Sequence, residues 1–209
     1  MAAYTLHGDP ISGNTYKILL TASLLSIPLE YRKYSTLKGE TRTPAFLSTI
    51  SSYGRIPVLE IRPSTYLPES NAICYYLADT GPSNTLIPSD PLLRADMLKW
   101  MFFEQNQHEV NVATLRFWLK FVGVDNLSAE RKAQINDKRE RGADALGYLN
   151  DQLAKSQSGW LVGDSVTLAD VCLFAYTHTA EEGGFDLSRL PAVKSWLQKV
   201  TELEGFVPM

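Results

Sequence analysis

The chain has 209 residues, 44% of them hydrophobic and 21% charged, with a formal net charge of -3, enough for one large domain or two small ones with buried cores. That charge leaves no basic face for nucleic acid or anionic lipid, and no apolar run reaches the roughly 18 residues that cross a bilayer. Cys74 and Cys172 lie far apart in apolar helical sequence, which predicts buried small hydrophobes rather than a disulfide or a metal pair, and a reducing, cytoplasmic setting.

Met1-Ala2-Ala3 leads directly into strand-like sequence with no charged and apolar leader before it, so secretion by that route is not expected. Tyr4 to His7 reads as a strand, Asp9 to Gly13 as a turn, and Asn14 to Leu25 as a helix with Ile18, Leu19, Ala22 and Leu25 at apolar positions. Leu29 to Tyr34 alternates as a strand. Thr43-Pro44 is an N-cap with proline at the first helical position, opening a short helix through Leu47. Val58 to Ile61, a turn at Arg62-Pro63-Ser64, a strand near Tyr66-Leu67 and a helix from Ser70 to about Asp79 complete a β-α-β-α-β-β-α order. That order predicts a small mixed sheet with helices on both faces.

The Gly, Pro, Ser and Asn of Thr80 to Asp90 mark a linker over 81–90. Beyond it the chain reads as helix. Asp90-Pro91 opens a segment of about 30 residues to Phe121, and Ser128 caps a second, charged between Glu130 and Arg141. Trp160 to Asp164 is a loop before Thr167-x-x-Asp170, a capping box with Asp for the usual Glu. The run Val171-Cys172-Leu173-Phe174-Ala175 is apolar nearly all round and predicts the central buried helix. A last helix runs from Pro191 to about Leu203. The fold class is α/β plus all-α, with domains over 1–80 and 91–209.

Two clusters carry chemistry. Ile56-Pro57-Val58-Leu59 is a strand with proline at its entrance, where a missing N–H is tolerated, and Ile56-Pro57 is a candidate for the cis bond. Leu67-Pro68-Glu69-Ser70-Asn71-Ala72-Ile73 is a strand end passing into a helix. It offers a carboxylate, a hydroxyl and free amide N–H groups, a set that suits a zwitterionic, peptide-like ligand.

In order and spacing, Ser12-Gly13-Asn14, Ile56-Pro57, Glu69-Ser70-Asn71-Ala72-Ile73 and Thr167-Leu168-Ala169-Asp170 resemble the cytosolic glutathione transferases. The strings Gly39-Glu40-Thr41-Arg42-Thr43-Pro44-Ala45-Phe46-Leu47, Phe102-Phe103-Glu104-Gln105 and Glu182-Gly183-Gly184-Phe185-Asp186-Leu187 resemble a serine-type subgroup common in bacteria and also seen in fungi. The resemblance covers essentially the whole chain. It implies a thioredoxin-like domain, then a helical-bundle domain whose long helix walls the electrophile site. Glutathione is then a co-substrate, with no metal or other cofactor. Pro57 corresponds to the family's cis-proline, and the Ile56 backbone pairs with the cysteinyl part of glutathione. Glu69 and Ser70 hold the γ-glutamyl end. Arg55 is a polar contact, and Lys38, Thr41 and Arg42 lie near the glycyl carboxylate.

The implied reaction needs a thiolate, and an ordinary thiol with a pKa of about 8.5 is mostly protonated at neutral pH. Ser12, just before a helix start, supplies a hydroxyl donor beside the positive end of a helix dipole. The competing role for Ser12 is that of a helix cap alone, and Asn14 and Thr15 are alternative donors. Tyr4 and Tyr16 are less well placed. No cysteine stands in this loop, which disfavours disulfide exchange.

In the long helix, Glu104 and His108 are i, i+4 neighbours that either wall the electrophile pocket or the dimer cleft, or belong to a solvated face or internal polar network. Arg116 and Phe117 are the other candidates for a small hydrophobic electrophile. His7 and His178 read as structural, and Asp170 as a buried cap. The activity that the resemblance implies is conjugation of glutathione to such electrophiles in detoxification, by a cytoplasmic homodimer. The alternatives are a non-enzymatic ligand-binding or regulatory protein on the same fold, or a glutathione-dependent peroxidase or isomerase.

Overall fold

The computed structural model describes residues 4–209; Met1-Ala2-Ala3 lie outside them. The chain divides into two compact units, one reaching to Ile87 and taking in Leu203–Met209, the other spanning Pro88–Glu202.

In the first unit, β1 (Tyr4–Gly8), α1 (Gly13–Leu24), β2 (Leu29–Lys33), α2 (Pro44–Thr49), β3 (Val58–Arg62), β4 (Thr65–Pro68) and α3 (Ser70–Thr80) follow one another. The four strands lie in the order β2-β1-β3-β4. β1 runs parallel to β2 and antiparallel to β3, and β4 is antiparallel to β3, so this is a thioredoxin-like mixed sheet. The apolar positions of the strands and of α1 and α3 supply the core: Leu6, Ile18, Leu20, Leu59, Ile73 and Leu77 have no exposed surface. α1 ends at Leu24, and α2 runs two residues past Leu47, with Thr43 Oγ1 accepting from Phe46 N.

The last seven residues group with this unit, although the sequence reads them as the end of the helical domain. Tyr16 Oη donates to the Val207 carbonyl at 2.7 Å. Gly205, with φ 83°, sits so close that a Cβ would meet the Ser23 carbonyl at 3.0 Å.

The second unit is helical. The long segment is one continuous run, but it is not α throughout. After α4 (Pro91–Phe103), residues Glu104–Ala113 widen to i→i+5 bonding, α5 (Thr114–Arg116) is a single turn, and Phe117–Val122 widens again. Polar side chains compete for the helix carbonyls: Asn106 Nδ2 donates to Phe102 O at 3.0 Å and Asn111 Nδ2 to Gln107 O at 2.6 Å, each four residues back. Side-chain donors at the i-4 carbonyl loosen the α ladder. The charged segment likewise splits into α6 (Ala129–Ala133), capped by Ser128, and α7 (Ile135–Lys155).

α8 (Leu168–Thr177) is buried at every position, as its all-round apolar sequence predicts. Asp170 is its anchor. Its Oδ2 accepts from Thr167 N, and its Oδ1 from Leu161 N and from Trp196 Nε1 of α9 (Pro191–Thr201). Burial pushes the Asp170 carboxyl above its ordinary range against these donors. Cys74 and Cys172 are both buried. No helix among the described residues is long and apolar enough to cross a membrane.

Candidate functional site

Strand register brings the distant motifs of the first unit to one end of its sheet. β1 leaves the sheet at Gly8, toward Ser12. β3 enters at Val58, paired with His7, directly after Ile56-Pro57. β4 leaves at Pro68, paired with Val58, directly before Glu69-Ser70. β2 leaves at Lys33, paired with Gly8, and Tyr34 N donates to Gly8 O at 2.8 Å. Three loops and the α3 start therefore converge, and the Ile56-Pro57 bond among them is cis.

Ser12 is the N-cap of α1. Its backbone N–H donates to Asp9 O at 3.0 Å and its Oγ accepts from Thr15 N at 3.3 Å. Capping uses a lone pair of the hydroxyl and leaves its proton to donate, so cap and donor roles are compatible. Thr15 is a poorer donor candidate: it is 1% exposed, and its Oγ1 accepts from Asp9 N. Tyr16 is buried and committed to Val207, and burial raises its pKa. Tyr4 is half-buried with its ring edge-on to Tyr76.

Asn14 lies two residues into the helix, and its Oδ1 accepts from the Ser70 hydroxyl at 3.0 Å. The α1 start and the α3 start are thereby joined. Glu69 is exposed with φ 72° and ψ 108°, and Ser70, the first residue of α3, is 5% exposed. A non-glycine residue at that φ is strained, a feature that concentrates at ligand sites.

Lys38, Arg42 and Arg55 are exposed and Ile56 is half-buried. Arg42 spends one guanidinium nitrogen on the Tyr53 carbonyl at 2.9 Å, bracing the loop before Arg55.

Two residues of this region escaped the sequence analysis. Asp9 is 4% exposed and accepts from Ile11 N, Thr36 N and Thr36 Oγ1, tying the Ser12 loop to the loop that carries Lys38. Lys17 has no exposed surface, and its Nζ lies 3.2 Å from Asn71 Oδ1 and 3.5 Å from Ser70 Oγ. Its spacing three residues after Asn14 on one helix face was the available signal.

Two of the three candidates of the second unit, His108 and Arg116, are buried. His108 has no exposed surface, and its Nε2 lies 3.0 Å from Thr177 Oγ1. The Thr177 hydroxyl donates to Leu173 O, so the His108 Nε2–H is the donor to Thr177. Glu104 is also fully buried. Arg116 is 6% exposed and its Nε bonds Glu182 Oε2 at 2.6 Å, while Lys120 bonds Glu182 Oε1 at 2.5 Å. Phe117 alone of the three presents substantial surface, at 36% exposure. Among the described residues no group of three His, Cys, Asp or Glu side chains is arranged to hold a metal.

The thioredoxin-like unit and the helical unit that follows it match the two halves of one family. The model of the glutathione S-transferase N-terminal domain matches residues 6–85, and that of the C-terminal domain residues 117–206. The glutathione S-transferase-like protein LUC7 of a Fusarium species is 30% identical over 201 residues, 92% of this chain and 86% of that protein. A solved glutathione S-transferase of Pseudomonas fluorescens is 42% identical with a TM-score of 0.88, covering 99% of this chain and 98% of that one. Elongation factor 1-gamma 3 of Oryza sativa is 31% identical over 82% of this chain but only 39% of its own length. The chain belongs to the glutathione S-transferase family and is a transferase with glutathione as co-substrate.

Proposed function

We propose that the converging loops of the first unit bind glutathione, and that Ser12 holds its sulfur as a thiolate for transfer to a small hydrophobic electrophile. The observation that carries this reading is Ser12 itself. It caps α1 through a lone pair, keeps its proton, and stands at the positive end of a 12-residue helix. Glu69 takes the γ-glutamyl ammonium. The first-turn N–H groups of α3, those of Ser70 and Asn71, take the adjacent carboxylate. The Ile56 backbone beside Pro57 pairs with the cysteinyl unit, and Lys38, Arg42 and Arg55 supply cations for the glycyl carboxylate. Asn14 orients Ser70.

One hydroxyl donor at the sulfur and one helix terminus together account for one to two units of thiol pKa depression, about 1.4 kcal/mol per unit. Titrating the thiolate of bound glutathione by its ultraviolet absorbance tests this. In Ser12→Ala the bound thiol is expected to titrate about one unit higher, with conjugation at pH 6.5 falling about fivefold to tenfold. An unshifted titration would sink the serine role, and failure of the native protein to bind glutathione would sink the site.

We further read the protein as a cytoplasmic detoxification homodimer, for which light scattering at micromolar concentration is the check on assembly. A second reading, a binding module without turnover, is favoured by the elongation factor 1-gamma relative, in which the matching segment is a minor part of a longer chain. Tight glutathione binding with no turnover across conjugation, peroxide and isomerisation substrates would select it.

A further inference from the structure

The least expected feature of the first unit is a lysine with no exposed surface beneath the start of α3. A buried ammonium is costly unless its environment offers oxygen acceptors. Lys17 Nζ meets two on the first turn of α3, Asn71 Oδ1 at 3.2 Å and Ser70 Oγ at 3.5 Å. The Ser70 hydroxyl is thereby held from both sides: its lone pair faces Lys17 and its proton goes to Asn14 Oδ1 at 3.0 Å. Asn14 and Lys17 are three residues apart, one above the other on the face of α1 that packs against α3. The helix with Ser12 at its cap therefore also carries a cation to the far side of the Glu69-Ser70 corner. The first intrahelical bond there is Ile73 N to Glu69 O, which leaves the Ser70 and Asn71 N–H groups as first-turn donors.

We propose that Lys17 is a positioning residue for the glutathione site. Its buried ammonium sets the Ser70 hydroxyl and adds positive charge to the α3 turn that receives the γ-glutamyl carboxylate. This rests on the reading of Glu69-Ser70 as the grip on the γ-glutamyl end. Lys17 lies under the turn, acts through Ser70 and Asn71, and strengthens the turn for an anion more than for a neutral group.

The test pairs two ligands with charge-altering variants. Calorimetry is run with glutathione and with its analogue bearing an amide in place of the γ-glutamyl α-carboxylate. Lys17→Met, nearly isosteric and neutral, is expected to lose about tenfold in glutathione affinity, about 1.4 kcal/mol, and much less for the amide. KM for glutathione rises while kcat at saturation is retained. Lys17→Arg, which keeps the charge, retains most of the preference for the carboxylate. Unchanged glutathione affinity in Lys17→Met, or equal losses for both ligands, overturns the proposal. If circular dichroism shows Lys17→Met unfolded, Asn71→Leu replaces it: it removes one anchor of the ammonium, the same selective loss is expected, and its absence overturns the role. Native protein that fails to bind glutathione sinks the site reading and this role with it. Native protein that binds glutathione and the amide equally well sinks the carboxylate role while leaving the site.

Discussion

Glu69→Gly is expected to make the protein more stable and worse at binding glutathione. Glu69 holds φ 72° and ψ 108°, a combination that costs a residue with a Cβ on the order of 1–3 kcal/mol. Glycine removes that cost but adds about 0.5–1 kcal/mol of unfolded-chain entropy. The net gain is about 1 kcal/mol, or about 2–4 °C in the melting temperature of a chain this size. Glu69→Ala keeps the Cβ and therefore the strain, so no gain is expected there. Both variants lose the carboxylate proposed to hold the γ-glutamyl ammonium, and a charge-assisted bond of that kind is worth about 1.5–3 kcal/mol, roughly tenfold to a hundredfold in affinity. Calorimetric unfolding and glutathione titration of the three proteins read both effects. Equal melting of the Gly and Ala variants would refute the strain, and native-like glutathione affinity in either would refute the functional reason for tolerating it.

Gly8→Ala should open the β1–α1 contact. A Cβ there would meet Thr15 Cγ2 at 2.4 Å and Oγ1 at 2.7 Å, so a loss of about 1–3 kcal/mol in denaturant unfolding and a drop in kcat/KM are expected, with part of the stability returned by adding Thr15→Ser. Asp170→Ala strands buried donors from Leu161, Thr167 and Trp196; at about 1–3 kcal/mol each, a loss of at least about 3 kcal/mol is expected by urea unfolding, with Asp170→Asn less severe. Stability should fall in mild acid. Burial lowers the pKa of His7, outweighing Glu60 at 3.5 Å, and also that of His178. The unfolded chain therefore takes up protons first near 6.5, and stability present above that pH is lost as pH drops toward the lower folded values. Melting temperatures at pH 7.5 and 5.5 read this, and His7→Gln should flatten the difference.

Much of the fold is written locally. The β-α-β-α-β-β-α order, the Thr43-Pro44 helix start, the Thr167–Asp170 box and the buried α8 follow from periodicity, capping chemistry and proline, all of which act over a few residues. The long helix is legible as a helix but not in its pitch. The widening at Glu104–Ala113 goes with Asn106 and Asn111 turning back on carbonyls of their own helix, side-chain contacts that hydrophobic pattern does not record.

The site divides the same way. Ser12, Ile56-Pro57 and Glu69-Ser70 are visible as residue types at turns and helix starts, because caps and strand entrances are local. Their convergence is a matter of strand register: His7 opposite Val58 and Val58 opposite Pro68 bring residues far apart in the chain to one sheet end. Burial is likewise decided only in three dimensions. It put His108 beside Thr177 and Arg116 beside Glu182, and it put Lys17 beneath α3. A polar side chain's partner can lie anywhere in the chain, and packing alone chooses between solvent and interior.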